Sequence, residues 1–207
     1  MCGAYTILTY ADKEEIRRFL QEIEERLGSS GARDIRPTDL APALLAEGES
    51  SLKGDAMRFG FPGFKGGPTI INARSETIAE KNTFRDAIRN RRCVLPAGGY
   101  YEWTGTKKQK TRHLITLTES SEMYLAGCYN SFHTPHGDEL RFVIVTTEPN
   151  PDVISIHNRM PVVLNPAEAE LWLYADYTAL YNRQHVRLTV TPPEPEGLVQ
   201  IPLQDLS

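Results

Sequence analysis

The chain has one long segment with helical periodicity among many short strand-forming runs. This order of elements limits the folds that it can adopt. Residues 12–27 place apolar side chains such as Ile16, Leu20 and Ile23 on one face of a helix. The other apolar runs are short and are separated by Gly and Pro. Because strands and helices do not alternate as βαβ units, the sequence predicts an α+β, mainly β protein. We expect a curled, barrel-like sheet flanked by several helices.

The ends of the individual elements follow from local signals. Asp12 and Glu15 are expected to form a capping box at the start of the long helix, and Gly28 is expected to end it. Residues 29–67 are predicted to be mostly loop, with a short strand at 56–61. The other predicted strands are 2–10, 69–71, 92–96, 100–103, 113–117, 123–129 and 140–146. The shorter predicted helices are 83–89, one capped by Asn150-Pro151, and one from Asn165 to about Ala175.

Two glycines and a proline-rich tail complete this prediction. Gly98 and Gly99 are expected to form a flexible turn between the strands 92–96 and 100–103. The strands 123–129 and 140–146 are expected to pair as a hairpin. The tail from Thr191 is expected to wrap the surface without helix or long strand.

Composition excludes several classes of protein. The 207 residues with 40% apolar content suit a single domain over residues 1–207. The net charge of −4 means that any DNA contact needs a local basic patch. Cys2, Cys93 and Cys128 are odd in number and lack CxxC spacing, so we expect neither a disulfide framework nor a metal site. No cofactor is expected, and the absence of a long apolar run predicts no membrane span. We expect a monomer in the cytoplasm of a bacterium, or in the nucleus or cytosol of a eukaryote.

The residue with the most distinctive chemistry is Cys2. Once Met1 is removed, Cys2 carries an α-amine and a thiol on adjacent carbons. The amine can condense with an aldehyde to an imine, and the thiol can then close a five-membered thiazolidine ring. The amine has a reference pKa of about 7.7–8.0, and a thiol of pKa about 8.5 needs only a modest shift to become a thiolate. A residue so close to a terminus is also commonly frayed and without function.

Three further side chains are candidates for the same site, and each has a structural alternative. Glu102 is either a surface carboxylate or a carboxyl in an apolar pocket with a raised pKa, suited to acid–base work. His157 is either structural or the one group that titrates near neutral pH without help. Asn72 is either a turn cap or an amide that orients a reacting amine or thiol.

The middle of the chain combines basic and aromatic residues. Proteins that bind single-stranded nucleic acid use basic side chains for the backbone and aromatic rings for base stacking. Runs of solvated charge are common, so this composition alone is weak support. The residues concerned are Arg85, Arg89, Arg91, Arg92, Lys107, Lys108, Lys110 and Arg112, with Tyr100, Tyr101 and Trp103 among them.

Four separate motifs, in this order, resemble the SOS response-associated peptidase (SRAP) family over nearly the whole chain. They are Met1-Cys2-Gly3, Asn72-Ala73-Arg74-Ser75-Glu76-Thr77, Arg92-Cys93-Val94-Leu95-Pro96 with Tyr100-Tyr101-Glu102-Trp103, and His157-Asn158-Arg159-Met160-Pro161.

The resemblance implies a compact mixed fold around a curled sheet, and a covalent function in the response to DNA damage. Members of the family lose their first Met, by self-cleavage or through another enzyme, bind single-stranded DNA and crosslink abasic sites through a thiazolidine. Abasic-site lyase activity is also implied, as is association with the nucleoid when the protein is bound to DNA.

The resemblance also assigns roles to residues of this chain. Cys2 would be the nucleophile, Asn72 would position its amine, Glu102 would be the acid–base and His157 would act on the opened sugar. The implied DNA contacts are Arg58, Arg74, Trp103 and Arg159.

Two departures from the family pattern bear on DNA affinity rather than on the covalent chemistry. Ala4 stands where members usually carry a basic residue after Cys-Gly. The run from Arg58 to Phe64 has Phe59 where members often have Trp. We therefore expect the loss of one phosphate contact and the survival of an aromatic surface.

Two other functions fit the same residues. Cys2 and His157 can be read as the nucleophile and base of a cysteine peptidase, acting mainly on its own N-terminus, although no third orienting group is evident. Alternatively, the basic and aromatic residues form a non-covalent DNA-binding module, whose binding would be sensitive to salt and independent of Cys2.

Overall fold

The computed structural model describes residues 2–8, 11–28, 33–106 and 109–192. The strands in this part of the chain are β1 (Tyr5–Ile7), β2 (Asp34–Ile35), β3 (Leu40–Glu47), β4 (Ser51–Phe59), β5 (Asn72–Arg74), β6 (Arg92–Thr106), β7 (Gln109–Leu117), β8 (Met123–Thr134), β9 (Gly137–Thr147), β10 (Met160–Pro161), β11 (Val163–Leu164) and β12 (Leu188–Thr191). The α-helices are α1 (Glu14–Leu27), α2 (Arg85–Asn90) and α3 (Pro166–Tyr174), and two 3-10 turns lie at Phe64–Gly66 and Thr178–Tyr181.

Five of the strands close into a ring. β8 pairs with β9, β9 with β4, β4 with β3, β3 with β6, and β6 again with β8. All of these pairings are antiparallel except the parallel contact between β4 and β9. This closure confirms the predicted mainly β fold with a barrel-like core, and it removes the free edges that an open sheet of these strands would have.

The two faces of the barrel wall pack against different partners. Alternate residues of the wall, such as Ala43, Met57, Leu95 and Phe142, belong to one buried cluster, which we call the interior cluster. The intervening residues belong to a second cluster that includes side chains of α1, α2 and α3. The strand period of two therefore gives the barrel a filled interior, and the helices cover part of its outside.

Several predicted elements are confirmed. Gly28 adopts a left-handed conformation (φ 64°) at the end of α1. Asn165 and Glu168 form a complete capping box at the start of α3. Strands β8 and β9 form the predicted hairpin and extend beyond the apolar runs that identified them.

The prediction of a mostly irregular segment at 29–67 is wrong. Residues Leu40–Glu47 and Ser51–Phe59 form an antiparallel pair in register from Leu40↔Arg58 to Glu47↔Ser51. Pro42, the alanines and Gly54 gave this segment a low strand propensity. Position 54 needs a glycine because α1 packs over it. A Cβ there would lie 3.0 Å from the Phe19 Cβ. Tertiary packing overrode local propensity.

The predicted turn at Gly98 and Gly99 is also wrong, because β6 runs unbroken from Arg92 to Thr106. A Cβ at Gly99 would lie 2.7 Å from Leu114 Cδ1 and 3.1 Å from the Ile115 carbonyl oxygen. This glycine therefore permits close approach of β7 and does not interrupt the strand.

Smaller differences concern element ends. Lys13, not Asp12, precedes α1, and no side chain caps that helix, so the predicted capping box is absent. Residues 151–156 form consecutive turns and not a helix. Thr191 ends β12, and the proline-rich tail from residue 193 lies outside the described residues.

The packing of α3 on the barrel depends on Trp172. Its ring is fully buried, and its Nε1 donates to the carbonyl oxygens of Cys93 (3.0 Å) and Gly127 (3.2 Å). We expect Trp172→Phe to lower the free energy of unfolding by about 1–3 kcal/mol, because a buried hydrogen-bonded group is lost. Urea denaturation measures this change. Leu171→Ala, on the exposed side of the same helix, should change it by about 0.5 kcal/mol or less, and equal effects would contradict this account.

Candidate active site and nucleic-acid interface

Cys2 lies at the interior cluster, fully buried. The segment before β1 runs beside β6, where the Tyr101 N–H donates to the Ala4 carbonyl oxygen at 2.9 Å. The Cys2 Sγ lies 3.7 Å from the same carbonyl oxygen. The pairing of β1 with β6 therefore holds residue 2 in the barrel core and does not leave it frayed.

Asn72 contacts Cys2 from a strand other than β1 and β6. It begins β5, which pairs in parallel with β9. Its Nδ2 donates to the Cys2 carbonyl oxygen at 3.1 Å and to the Ile71 carbonyl oxygen at 3.0 Å. The Asn72 Oδ1 is buried and has no hydrogen-bond partner among the described residues. Asn72 is thus part of a strand, not of the turn expected after one, and its amide holds residue 2.

Glu102 is 2% exposed, so the surface reading of this carboxyl is wrong. Burial raises its pKa, and the positive amino terminus and, after it, His157 act in the opposite direction. Burial is the larger effect, and the carboxyl is harder to ionise than an ordinary glutamate. The next residue, Trp103, lies on the other face of β6 by strand alternation and is 36% exposed. Its ring therefore does not bury Glu102.

His157 lies in the loop between β9 and β10, and the main chain of Arg159 orients its ring. The Arg159 N–H donates to His157 Nδ1 at 3.0 Å. Arg159 in turn donates to both Glu76 carboxylate oxygens, at 2.5 and 2.9 Å, and to the Thr146 carbonyl oxygen. This ion pair ties the His157 loop to the turn that follows β5.

The Cys2 thiol is not poised in the way that the sequence suggested. Burial raises its pKa well above the usual range, and the negative charge of Glu102 raises it further. The positive amino terminus, next to it in sequence, lowers the pKa by less. The expectation that a modest shift would ionise this thiol is therefore wrong for the structure described.

Two buried tyrosines, Tyr5 and Tyr100, complete the surroundings of Cys2. The sequence predicted no role for Tyr5, and the expectation that Tyr100 offers an aromatic face to a nucleic-acid strand is wrong, because its side chain is fully buried. Tyr5 and Tyr100 are directly opposite each other on β1 and β6, and both belong to the interior cluster. The signal that could have identified Tyr100 was its position two residues before Glu102, which puts both side chains on one face of a strand.

The residues expected to contact DNA differ in availability. Arg58 is engaged inside the protein, with its Nε 2.6 Å from Glu139 Oε1 and its NH1 2.6 Å from the Thr38 carbonyl oxygen. Arg159 is engaged with Glu76. Arg74 and Trp103 are exposed. The structure thus favours Arg74 and Trp103 as surface contacts over the two paired arginines.

The expected aromatic surface is reduced to one residue. Phe59 is fully buried and stacks on Phe142 with ring centroids 5.0 Å apart, and Phe61 is also buried. Phe64 is 82% exposed, with the Lys65 Nζ 5.5 Å from its ring centroid. The substitution at Phe59 therefore changes the core, and Phe64 presents the aromatic face.

Part of the basic run serves the fold. Arg92 donates through Nε to the Trp172 carbonyl oxygen at 2.5 Å and through NH2 to that of Leu173 at 3.0 Å, so it caps the C-terminal end of α3. Arg91 is paired with Asp86. Lys107 and Lys108 lie outside the described residues. Ala4 is buried, so its side chain offers no surface contact.

Neither a metal centre nor a membrane helix is found in the described ranges. No group of three or more His, Cys, Asp or Glu side chains there is arranged to hold a metal ion. No helix in the same residues is long and apolar enough to cross a bilayer.

The fold and site define a mainly β barrel with a buried cysteine at residue 2, held by an amide and faced by a carboxyl. Over residues 1–204 the chain matches the family described as SOS response associated peptidase (SRAP). It is 33% identical over 184 residues to abasic site processing protein YoqW of Bacillus subtilis (strain 168), covering 84% of this chain and 80% of that protein.

A second named relative and a solved structure are also similar to this chain. Abasic site processing protein YedK of Escherichia coli (strain K12) is 30% identical over 179 residues, covering 84% of this chain and 79% of the relative. A solved structure from Bacteroides thetaiotaomicron has the same fold, with a TM-score of 0.73 at 22% identity over 91% of each chain. The chain belongs to the SRAP family.

The raised pKa of Glu102 predicts a stabilising substitution. A folded-state pKa above the unfolded one gives stability that is complete below the unfolded pKa, about 4.3, and is lost as pH rises through the folded value. We therefore expect Glu102→Gln to be more stable than the native protein at pH 7, with a difference that disappears as pH falls below about 4. Urea denaturation at both pH values tests this. The exposed Glu119→Gln should show no such difference, and a Glu102→Gln variant less stable at pH 7 would refute the assignment.

Proposed function

We propose that this protein binds single-stranded DNA and crosslinks abasic sites covalently through Cys2 after Met1 has been removed, shielding the lesion during the response to DNA damage. The observation that carries the proposal is the convergence of Asn72 and Glu102 on residue 2. Membership of the SRAP family supports it, as do relatives named abasic site processing proteins.

The first chemical step needs a positioned amine. Removal of Met1 exposes the Cys2 α-amine beside Asn72, which already binds the carbonyl of the same residue. The buried Oδ1 of Asn72 is an acceptor suited to an amine N–H. The amine nitrogen adds to the aldehyde carbon of the opened sugar, and the aldehyde oxygen becomes the hydroxyl of a carbinolamine.

The second step needs an acid, and Glu102 suits it. Its raised pKa keeps a larger fraction of the carboxyl protonated near neutral pH than an ordinary glutamate would have. The carboxyl gives its proton to the carbinolamine hydroxyl, water leaves, and a C=N bond forms. The nitrogen loses its remaining proton, which passes through solvent to the carboxylate, so the imine is neutral and the acid is restored.

The third step closes the ring. The Cys2 sulfur attacks the imine carbon, a C–S bond forms, and the electron pair of the C=N bond moves to nitrogen. The thiol loses its proton and the nitrogen gains one, so aminothiol and aldehyde give thiazolidine and one water overall.

His157 suits the opening of the sugar. An abasic sugar is mostly a closed hemiacetal, and protonation of its ring oxygen favours the aldehyde. The backbone contact of Nδ1 with Arg159 orients the ring, and the Arg159–Glu76 ion pair holds that loop. These contacts support a positioned proton donor rather than a histidine that only packs.

The exposed Arg74, Trp103 and Phe64 suit the DNA strand. Arg74 offers a charge to phosphate, and the two aromatic rings offer faces on which bases stack. With a net charge of −4, contact depends on this local surface rather than on overall charge.

The family description also suggests a peptidase acting on the Met1–Cys2 bond. The charged side chain that acts most strongly on the Cys2 thiol is Glu102, and it opposes ionisation of the thiol. A peptidase nucleophile needs a base that favours ionisation. This arrangement therefore favours acid-assisted imine chemistry over a Cys–His pair.

We expect protein with Met1 removed to form a heat-stable adduct with single-stranded DNA carrying one abasic site, and none with the intact strand. Cys2→Ala should abolish the adduct, and Cys2→Ser should leave only an imine that heat reverses, because an imine without the sulfur cannot close a thiazolidine. A denaturing gel measures the yield, and intact mass verifies removal of Met1.

Glu102→Gln should slow adduct formation by about 10²–10⁴-fold, as expected for loss of a positioned acid–base group. Asn72→Ala should slow it by about 10²-fold, because the amine loses a group that positions it. Equal heat-stable yields from native protein and Cys2→Ser would refute the thiazolidine. Salt-sensitive binding that ignores both the lesion and Cys2 would instead indicate a non-covalent binding module.

The DNA surface gives a separate prediction. Arg74→Gln should reduce the slope of log affinity against log salt by about 0.7, because one phosphate contact to a single strand is lost. Arg58→Gln is the matched control and should leave the slope unchanged, since Arg58 is occupied by Glu139. Fluorescence anisotropy with an oligonucleotide lacking an abasic site measures both, and a larger effect for Arg58 would reverse the assignment.

A further inference from the structure

The surroundings of Cys2 contain two buried hydroxyl groups, those of Tyr5 and Tyr100. Tyr5 and Tyr100 are Cα partners on β1 and β6, and both lie fully buried in the interior cluster that contains Cys2. Neither hydroxyl oxygen has a hydrogen-bond partner among the described residues. A buried polar group without a partner lowers stability, so a native structure that keeps two of them beside a nucleophile calls for an explanation.

Both hydroxyls lie within electrostatic reach of the sulfur. A negative charge on Cys2 raises the pKa of Tyr5 and of Tyr100, after the larger effect of burial on each. Both phenols therefore stay protonated at neutral pH, and each remains a donor.

No residue that the structure describes donates a hydrogen bond to the Cys2 sulfur. The thiol lies 3.7 Å from the Ala4 carbonyl oxygen, which can accept from S–H but repels a thiolate. The nearby Glu102 opposes a negative sulfur. The positive amino terminus favours the thiolate, and hydrogen-bond donors are a further means of stabilising a charge in a buried site.

We propose that the hydroxyl groups of Tyr5 and Tyr100 donate hydrogen bonds to the Cys2 sulfur as it ionises and attacks, and so stabilise its negative charge. This inference rests on the proposed crosslinking function, since it concerns the ring-closing step. The tyrosines keep their protons throughout: the sulfur loses its own proton and forms the C–S bond.

Other titratable and charged groups act on the same cluster and must be held constant. They are Glu102 and the amino terminus, which act on the thiol, His157, which acts on Glu102, and Arg33, Asp39 and Cys93, which act on Tyr5. The tyrosine substitutions leave all of these side chains in place.

The test needs no DNA, so it is independent of the crosslinking assay. Protein with Met1 removed is treated with iodoacetamide from about pH 6 to pH 9, and mass spectrometry of the N-terminal peptide gives the alkylation rate of Cys2. We expect Tyr100→Phe and Tyr5→Phe each to slow alkylation about tenfold at a given pH, because less thiolate is present. Tyr124→Phe is the matched control: its buried hydroxyl donates to Glu122 at 2.9 Å in the other cluster, and the rate should not change.

A second substitution separates ionisation from access. Site-specific 3-fluorotyrosine at position 100 is a stronger donor and should speed alkylation, whereas Tyr100→Phe slows it. Rates equal to native protein in both Phe variants, or the same direction of change for fluorotyrosine and Phe, would overturn the proposal. Should the Phe variants not fold, an unchanged rate with 3-fluorotyrosine overturns it alone. Failure of native protein to crosslink, with these shifts present, would refute the proposed function and leave the role of the hydroxyls intact.

Discussion

The pairing of β6 with its neighbours is the interaction on which the rest of the structure depends. β6 pairs with β3 and β8 to close the ring, and further along with β1 and β7. The same strand carries Tyr100 and Glu102, and its Tyr101 N–H binds the carbonyl that follows Cys2 by two residues. Closure of the barrel and placement of Cys2 therefore depend on each other, because both use the backbone of a single strand.

The candidate site holds polar and ionisable groups in the buried interior of the barrel, where burial makes them unfavourable. Burial disfavours the charged forms of Glu102 and of the Cys2 thiol, and the hydroxyls of Tyr5 and Tyr100 have no hydrogen-bond partner in the described part of the chain. Each of these features lowers stability. In the proposed mechanism each has a use when an aldehyde enters, since the carboxyl would supply a proton and the hydroxyls would supply hydrogen bonds. This is why a substitution that removes the Glu102 charge is expected to stabilise the fold and to slow the chemistry.

Local sequence signals predicted the elements whose ends are set locally. The apolar period of α1, the capping box of α3 and the hairpin of β8 and β9 all depend on neighbours within a few residues. The same signals failed for β3 and β4, and for Gly99, where a small residue makes room for a distant element and does not break a strand. A glycine or proline can either break a strand or make room for a neighbouring element, and only its packing partner shows which.

The sequence by itself determined the mainly β class, the SRAP family and the four candidate residues Cys2, Asn72, Glu102 and His157, because these depend on residue type, order and spacing. Only the tertiary structure decided that Cys2 and Glu102 are buried, that Asn72 binds residue 2, and that Arg58 and Arg159 are occupied by carboxylates. The physical reason is that burial and ion pairing arise between residues far apart in the chain. The charge state and availability of a side chain therefore depend on contacts that spacing along the sequence does not encode.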